Sequence, residues 1–452
     1  MNSVRDNALR LLRAGPKTSP DLAQALATSP STILRTLRSL EQERRILRMG
    51  KTRGARYGLR RAIATNGSDW PLYRIDETGV VHSLGTLDAI ESDSYYVTAG
   101  PPRIHDLFDG IPYFLQDARP GGFLGRAVPS AYPDLELPAR VVDWTDEHFL
   151  VYLTRRATDT IGALVVGVES MDRHLSAAQQ APVVAENART IDYPRFADQA
   201  MAGSPPGSSL QGEQPKFTVW VGTATHRVGV LVKFSPPYST AVGRRWADLL
   251  VSEHLMHRML EEHGIAACQS EVLDCSGRVF LQCERFDRVG SEGRRGVVSM
   301  FALDASRYGK LDTWTAAAER LCKDRLLSPE ETERIALLDA LGALTANTDR
   351  HFGNITFFDD YQTPFKLAPA YDMLPMLFAP QSDQIVPREF APPPPRAAWL
   401  PVWSRARSLA EIYWERLIAD DRLSKEFRQL CVQSIEALRA LSTRGAVANS
   451  QG

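Results

Sequence analysis

The run Asn-Thr-Asp-Arg-His-Phe-Gly-Asn at 347–354 places an acid, two basic groups and an amide inside an otherwise apolar stretch. Asp349 and Asn354 stand five positions apart. That spacing suits phosphoryl transfer, where an aspartate handles the proton of an attacking hydroxyl and an asparagine five residues on holds a metal ion. By itself it is a two-residue signal, since Asp and Asn also make turns and caps. Asp372 adds a second carboxylate. The intervening segment, 355–370, reads as a hairpin that would return Asp372 to the side of Asp349 and Asn354. Lys233 sits inside the apolar strand Gly-Val-Leu-Val-Lys-Phe at 229–234, and Glu253 inside a strongly amphipathic helix that ends at Gly264. A lysine in a strand can simply point outward. Pointing into a cleft and paired with a helix glutamate, it would orient the phosphates of ATP. Two carboxylates and an amide opposite that lysine are what Mg-ATP needs: oxygen ligands hold the hard cation, and the lysine takes phosphate charge. His351 reads as a loop-fixing hydrogen-bonding group and Arg350 as a solvated or loop-pairing charge.

These residues need two strands, a helix and a loop in a fixed order, and the pattern supplies them. Strands at 216–222 and 226–234 precede the glutamate helix. Another strand, within 278–290, follows it. Helices then lead to the 347–354 loop. Residues 62–168 read as mainly strand-like and are assigned to an α+β subdomain. Residues 174–216, rich in Ala, Gln, Ser, Pro and Gly, read as poorly structured, with a loop at 201–216. The proline-rich 379–399 reads as extended, and the last forty or so residues as amphipathic helix completing a helical lobe.

The amino-terminal end is separate in character. Residues 1–61 hold 14 Lys+Arg against 4 Asp+Glu, while the whole chain has a net charge of −1. A basic end on an acidic body suggests contact with a polyanion. Helices are expected over 4–14, from a Ser19 cap to about Leu26, and after a Thr28 or Ser29 cap, with Ile33, Leu37 and Leu40 facing inward. A basic hairpin, 46–49 with 55–59, closes the unit. Three short helices and a hairpin make a winged helix-turn-helix for double-stranded DNA. Ser31, Thr32, Arg35 and Arg38 would lie on the reading helix, and Arg53 and Arg56 in the wing. The alternative is a solvated basic hairpin that binds protein.

Bulk properties bound the rest. A chain of 452 residues, 44% hydrophobic and 24% charged, suits two or three globular domains. No apolar run approaches a transmembrane helix and no signal core opens the sequence, so a cytoplasmic protein with no membrane partner is expected. Five scattered cysteines form neither a zinc site nor a disulfide framework.

The motifs 209–217, "LVKF" (231–234), "SEHLMHRML" (252–260), "ERFDR" (284–288), "NTDRHFGNITFF" (347–358) and "LAPAYDML" (367–374) resemble, in this order, the HipA-type serine/threonine kinases. These are toxins of bacterial toxin–antitoxin systems. The resemblance spans roughly residues 200–380 and is closest to a longer subgroup whose DNA-binding module shares the chain. It implies a two-lobed kinase-like fold with an all-helical C-lobe, ATP and Mg²⁺ as cofactors, and Asp349 as the catalytic aspartate. It makes Asn354 and Asp372 the metal ligands and Lys233 the phosphate ligand, and puts the backbone around Glu284 and Phe286 at the adenine. It also puts Ser209 and Gly212 in a phosphate loop, with Ser209, or the adjacent Ser208, as an autophosphorylation site. Here the sequence departs from the family, with Pro215 inside the loop. No G-x-G-x-x-G loop and no D-F-G are present.

The expected organisation is therefore a winged helix at 1–61, an α+β subdomain at 62–200, the ATP-binding part of the N-lobe at 201–290 and a catalytic lobe at 291–452. The expected acceptor is a protein serine or threonine, an aminoacyl-tRNA synthetase being one acceptor class of the family. A separate antitoxin is compatible with this but not required. Its main rival is a DNA-binding transcriptional regulator whose kinase-like domain only senses nucleotide.

Overall fold

The computed structural model describes residues 3–448 apart from 53, 65, 101–103, 181–182, 204–213, 224–225, 361 and 382–383. It is a mixed α+β protein. The first helix, Val4–Arg13, is capped by Ser3. The second, Ser19–Ala25, starts one residue earlier than the sequence suggests: Thr18, not Ser19, is the cap, and Asp21 completes a capping box. The third, Pro30–Gln42, is capped by Ser29. Ile33, Leu37 and Leu40 are buried against Leu9, Leu12 and Leu22. The hairpin Ile46–Met49 and Arg56–Leu59 forms, and a strand not anticipated, Lys17–Thr18, pairs with its second arm.

The middle segment contains a five-stranded antiparallel sheet, ordered 104–109, 94–99, 81–90, 69–75 and 164–166. The strand-like reading fails over Asp146–Arg155, which is a helix capped by Thr145 and His148. Its continuous apolar run cannot be told from a strand by periodicity alone. Phe149 and Leu150 bury it on Trp70, Leu87 and Tyr95.

A second five-stranded sheet carries the lysine. Its order is 270–275, 278–284, 227–234, 216–222 and 183–184, the last pair parallel. Successive side chains alternate between its faces. Phe217, Phe234 and Phe280 face a helix, Arg189–Met201, through Tyr193 and Phe196. That helix lies inside the region read as poorly structured. Its Tyr193, Phe196, Ala197 and Ala200 fall at helical spacing and are buried. Val279, Leu281 and Cys283 face the opposite way, into the core that includes Leu249, Leu250 and Met256 of the long helix Ala241–Glu262.

The remaining lobe packs helices Met300–Arg307, Trp314–Lys323, Pro329–Leu344, Trp403–Ala419 and Lys425–Ala448. It is not all-helical. A small antiparallel sheet of 297–299, 356–358 and 366–367 lies within it, and the 356–367 pair is the anticipated hairpin. No helix among the described residues is long and apolar enough to cross a membrane.

Candidate active site

Register decides where Lys233 points. It pairs across the sheet with Leu281 and Lys216, so all three project to the face covered by the long helix. Glu253 meets it there. Lys233 Nζ donates to Glu253 Oε1 at 2.6 Å and Oε2 at 2.7 Å, with both side chains buried. The same ammonium donates to Asp372 Oδ1. Burial alone would lower the pKa of Lys233, but Asp372 and Glu253 raise it well above the usual lysine range. Asp372 feels the reverse: burial would raise it, and Lys233 with Lys216 holds it down at about 2. The glutamate is pushed up, burial outweighing the nearby ammonium.

Asp372 sits at φ +52°, in the left-handed region that aspartate tolerates better than most residues. Its N–H donates to Glu253 Oε1 at 3.3 Å. Its carbonyl accepts from Asn347 Nδ2 at 3.4 Å, which joins it to the 347–354 loop. Within that loop Asn347 Oδ1 accepts from the Asp349 N–H at 3.0 Å, and Asn354 Nδ2 donates to the Asp349 carbonyl at 2.9 Å. Asn354 is buried and has its amide nitrogen committed, so its Oδ1 is the atom left for a cation. The Asp349 side chain is exposed. His351 Nδ1 accepts from the Gly353 N–H at 3.1 Å and caps a short turn. Arg350 is tied to Asp339 Oδ1 at 3.2 Å and to the Asn347 carbonyl. Tyr371 donates to the Gly353 carbonyl at 2.6 Å, a further tie between the loop and the Asp372 segment.

Lys233, Glu253 and Asp372 are thus in direct contact. Asp349 and Asn354 are locked in one loop that hydrogen-bonds to Asp372. At the end of the 278–284 strand, the Glu284 N–H is bonded to the Gln269 carbonyl at 2.8 Å. The Phe286 ring packs on Tyr371 at 5.7 Å and Phe358 at 6.1 Å between centroids. The backbone groups of Phe286 have no protein partner among the described residues. Ser208, Ser209 and Gly212 lie outside those residues, as does Arg53. In the amino-terminal unit Arg35 and Arg38 are exposed on the third helix. The Ser31 hydroxyl lies 2.9 Å from that of the cap Ser29, which accepts the Thr32 N–H at 3.2 Å. Arg56 donates to the Pro16 carbonyl at 3.1 Å.

Two features escaped the sequence reading. Lys216 is buried directly opposite Lys233 and bears on Asp372. Two lysines opposed on one face repel unless an anion lies between them, and the register of the two strands was the available signal. The other is a buried ion cluster built from the "ERFDR" motif. Asp159 receives Arg285 at 2.9 Å and Arg288 at 2.6 Å. Asp287 receives the same two arginines and the Gly162 N–H. Arg285, Asp287 and Arg288 therefore dock the stretch after the 278–284 strand on the middle segment.

A buried lysine–glutamate pair on one sheet thus meets an aspartate that is bonded to an Asp/Asn loop of the mainly helical lobe, the arrangement that the resemblance to HipA-type proteins implies. Residues 208–434 match the HipA-like C-terminal domain, and residues 66–175 match the YjjJ-like toxin middle domain. The chain belongs to the HipA-like toxin family, in its YjjJ-like branch. It is 35% identical over 444 residues to Toxin YjjJ of Escherichia coli strain K12, spanning 96% of this chain and 98% of that protein. Among solved structures it resembles HipA of Shewanella oneidensis MR-1, solved in a complex with HipB and operator DNA. That match has a TM-score of 0.52 and 16% identity, and covers 83% of this chain and 97% of that one.

Proposed function

We propose that this protein is an ATP- and Mg²⁺-dependent serine/threonine protein kinase of toxin type that carries its own DNA-binding unit. The observation that carries the reading is Lys233 held between Glu253 and Asp372, with Asp349 and Asn354 in the adjoining loop. Asp372 Oδ atoms and Asn354 Oδ1 are hard oxygen donors suited to Mg²⁺. The cation neutralises phosphate charge when bound. Lys233 then orients phosphate, Phe286 backbone groups meet the base, and Asp349 takes the proton of the acceptor hydroxyl. The test is incubation with labelled ATP and lysate, followed by identification of the labelled residue. Label on protein serine or threonine supports the reading; nucleotide binding without transfer leaves a nucleotide-sensing regulator.

Two finer assignments go with it. The exposed Arg35 and Arg38 on a capped third helix, beside a basic hairpin, support a winged helix-turn-helix. The HipA relative reaches operator DNA in a complex that includes HipB, whereas here the basic unit is part of the chain, so DNA contact needs no separate antitoxin. Ser209 or Ser208 is the proposed autophosphorylation site. A phosphate there adds about −1.5 to −2 charges and repels nucleotide; mass spectrometry after incubation with ATP should find it between residues 204 and 218.

A further inference from the structure

Asp349 opens onto a cleft of about 320 Å³ that the nucleotide-binding residues do not line. It is lined by Asp312, Thr313 and Trp314, by Asp339, by the loop 348–351, and by Arg396 from the proline-rich segment. Most charges around it are spent inside the protein. Asp312 pairs with Arg320 at 2.8 Å. Arg350 and Asp339 pair with each other. Two exposed ionised groups remain, Asp349 and Arg396, and Arg396 has no carboxylate partner among the described residues.

Arg396 is nevertheless held in place. Its guanidinium lies 4.7 Å from the centre of the Trp399 ring. Trp399 is buried, stacks on Trp403 at 7° between ring planes, and donates through Nε1 to Thr315 Oγ1 at 3.1 Å and Asp339 Oδ2 at 3.3 Å. Asp339 in turn fixes Arg350 of the catalytic loop. The cation and the loop are therefore mounted on one buried aspartate. A guanidinium stacked on an indole keeps its N–H edge free, and that edge matches a carboxylate in bidentate fashion.

We propose that this cleft binds the acceptor segment of a protein substrate, and that Arg396 selects a segment with an acidic side chain near the hydroxyl presented to Asp349. The proposal rests on the phosphoryl-transfer reading above. Arg396 is a specificity residue here, touching the acceptor and not the reacting atoms. Its exposed position makes substitution tolerable to the fold.

The experiment uses full-length protein, ATP and Mg²⁺ with a peptide library from a proteolysed lysate, phosphosites being read by mass spectrometry. Matched synthetic peptides carrying Glu, Gln or Lys beside the serine then give kinetics. Wild type should favour Glu. Arg396→Ala should lower kcat/KM for the Glu peptide about ten- to a hundredfold, the range of a hydrogen bond to a charged group, and leave the Gln peptide unchanged. Arg396→Glu should invert the preference toward Lys. Transfer that ignores flanking charge, or a Glu preference that survives Arg396→Ala, overturns this inference and leaves the kinase reading standing. No transfer to any peptide or protein by wild type overturns both.

Discussion

Lys233 Nζ is bonded to Asp372, the carboxylate proposed to hold Mg²⁺, while also pairing with Glu253. One buried cation thus balances two carboxylates. Removing the cation is the worse insult. Lys233→Met leaves Glu253 and Asp372 facing each other, and breaking a buried pair in this way costs about 3–5 kcal/mol. Glu253→Gln leaves Lys233 and Asp372 balanced and should cost markedly less. Urea unfolding of the two variants measures the difference; equal losses would mean that Asp372 does not share the lysine. Mg²⁺ should restore part of the stability of Lys233→Met, because it supplies the missing positive charge.

Lys216 projects beside Lys233 and toward Asp372. If ATP binds as proposed, these two lysines would share its phosphate charge. Lys216→Met should weaken ATP binding by about tenfold, the scale of one charge-assisted contact, and weaken adenosine binding hardly at all. Calorimetric titration with both ligands separates a phosphate role from a role in sheet packing, which would affect neither ligand selectively.

Asp349 is exposed, and its backbone, not its carboxylate, holds the loop. Asp349→Asn should therefore preserve folding and ATP affinity while reducing phosphate transfer by about 10²-fold or more, the range of general-base assistance. Asp372→Asn should also weaken Mg²⁺-dependent nucleotide binding. Wild-type labelling by Asp349→Asn would remove the catalytic assignment.

His257 is fully buried on the glutamate helix, with Nδ1 at 3.1 Å from Ser270 Oγ and Nε2 3.8 Å from Glu253. Burial, reinforced by the Lys233 charge, lowers its pKa to about 3. Unfolded, an imidazole protonates near 6.5. Between those values the unfolded chain binds a proton that the folded chain refuses. Its contribution is complete above about pH 6.5 and shrinks by about 1.4 kcal/mol per pH unit as pH falls toward 3. Glu253 acts oppositely, its raised pKa giving stability that is lost as pH rises. Comparing urea midpoints of wild type and His257→Gln from pH 7.5 to 5 isolates the histidine: the variant's dependence should be flatter by one proton.

Legibility followed how local each signal is. The strand holding Lys233, the helix holding Glu253 and the hairpin returning Asp372 each carry their own period or turn chemistry. Their meeting was readable because the chain order leaves few ways to close the cleft. Asp146–Arg155 and Arg189–Met201 were not read, the first because a short buried run has no diagnostic period. The second was masked by small and polar residues around Tyr193 and Phe196, with Pro194 inside it. Asp159 could not be found at all: it meets Arg285 and Arg288 across more than a hundred residues of chain, and nothing near it in sequence announces a partner.

The amino-terminal unit gives the last prediction. Arg35 and Arg38 stand on the outer side of a helix whose inner face is fixed by Ile33, Leu37 and Leu40, so their direction is set by packing. Arg56, paired with Met49 at the turn end of the hairpin, is anchored to the Pro16 carbonyl. If the helix enters a major groove, Arg35 reaches base edges and the hairpin arginines reach phosphate. Arg35→Ala should then cost about 1–3 kcal/mol and relax sequence preference. Arg53→Ala or Arg56→Ala should weaken binding to every sequence and reduce the salt slope by about one. A salt-series titration with genomic fragments, run on full-length variants and on a chain lacking residues 1–61, tests this. Undiminished binding by the shortened chain would take DNA reading away from the basic end and leave it a protein-docking surface.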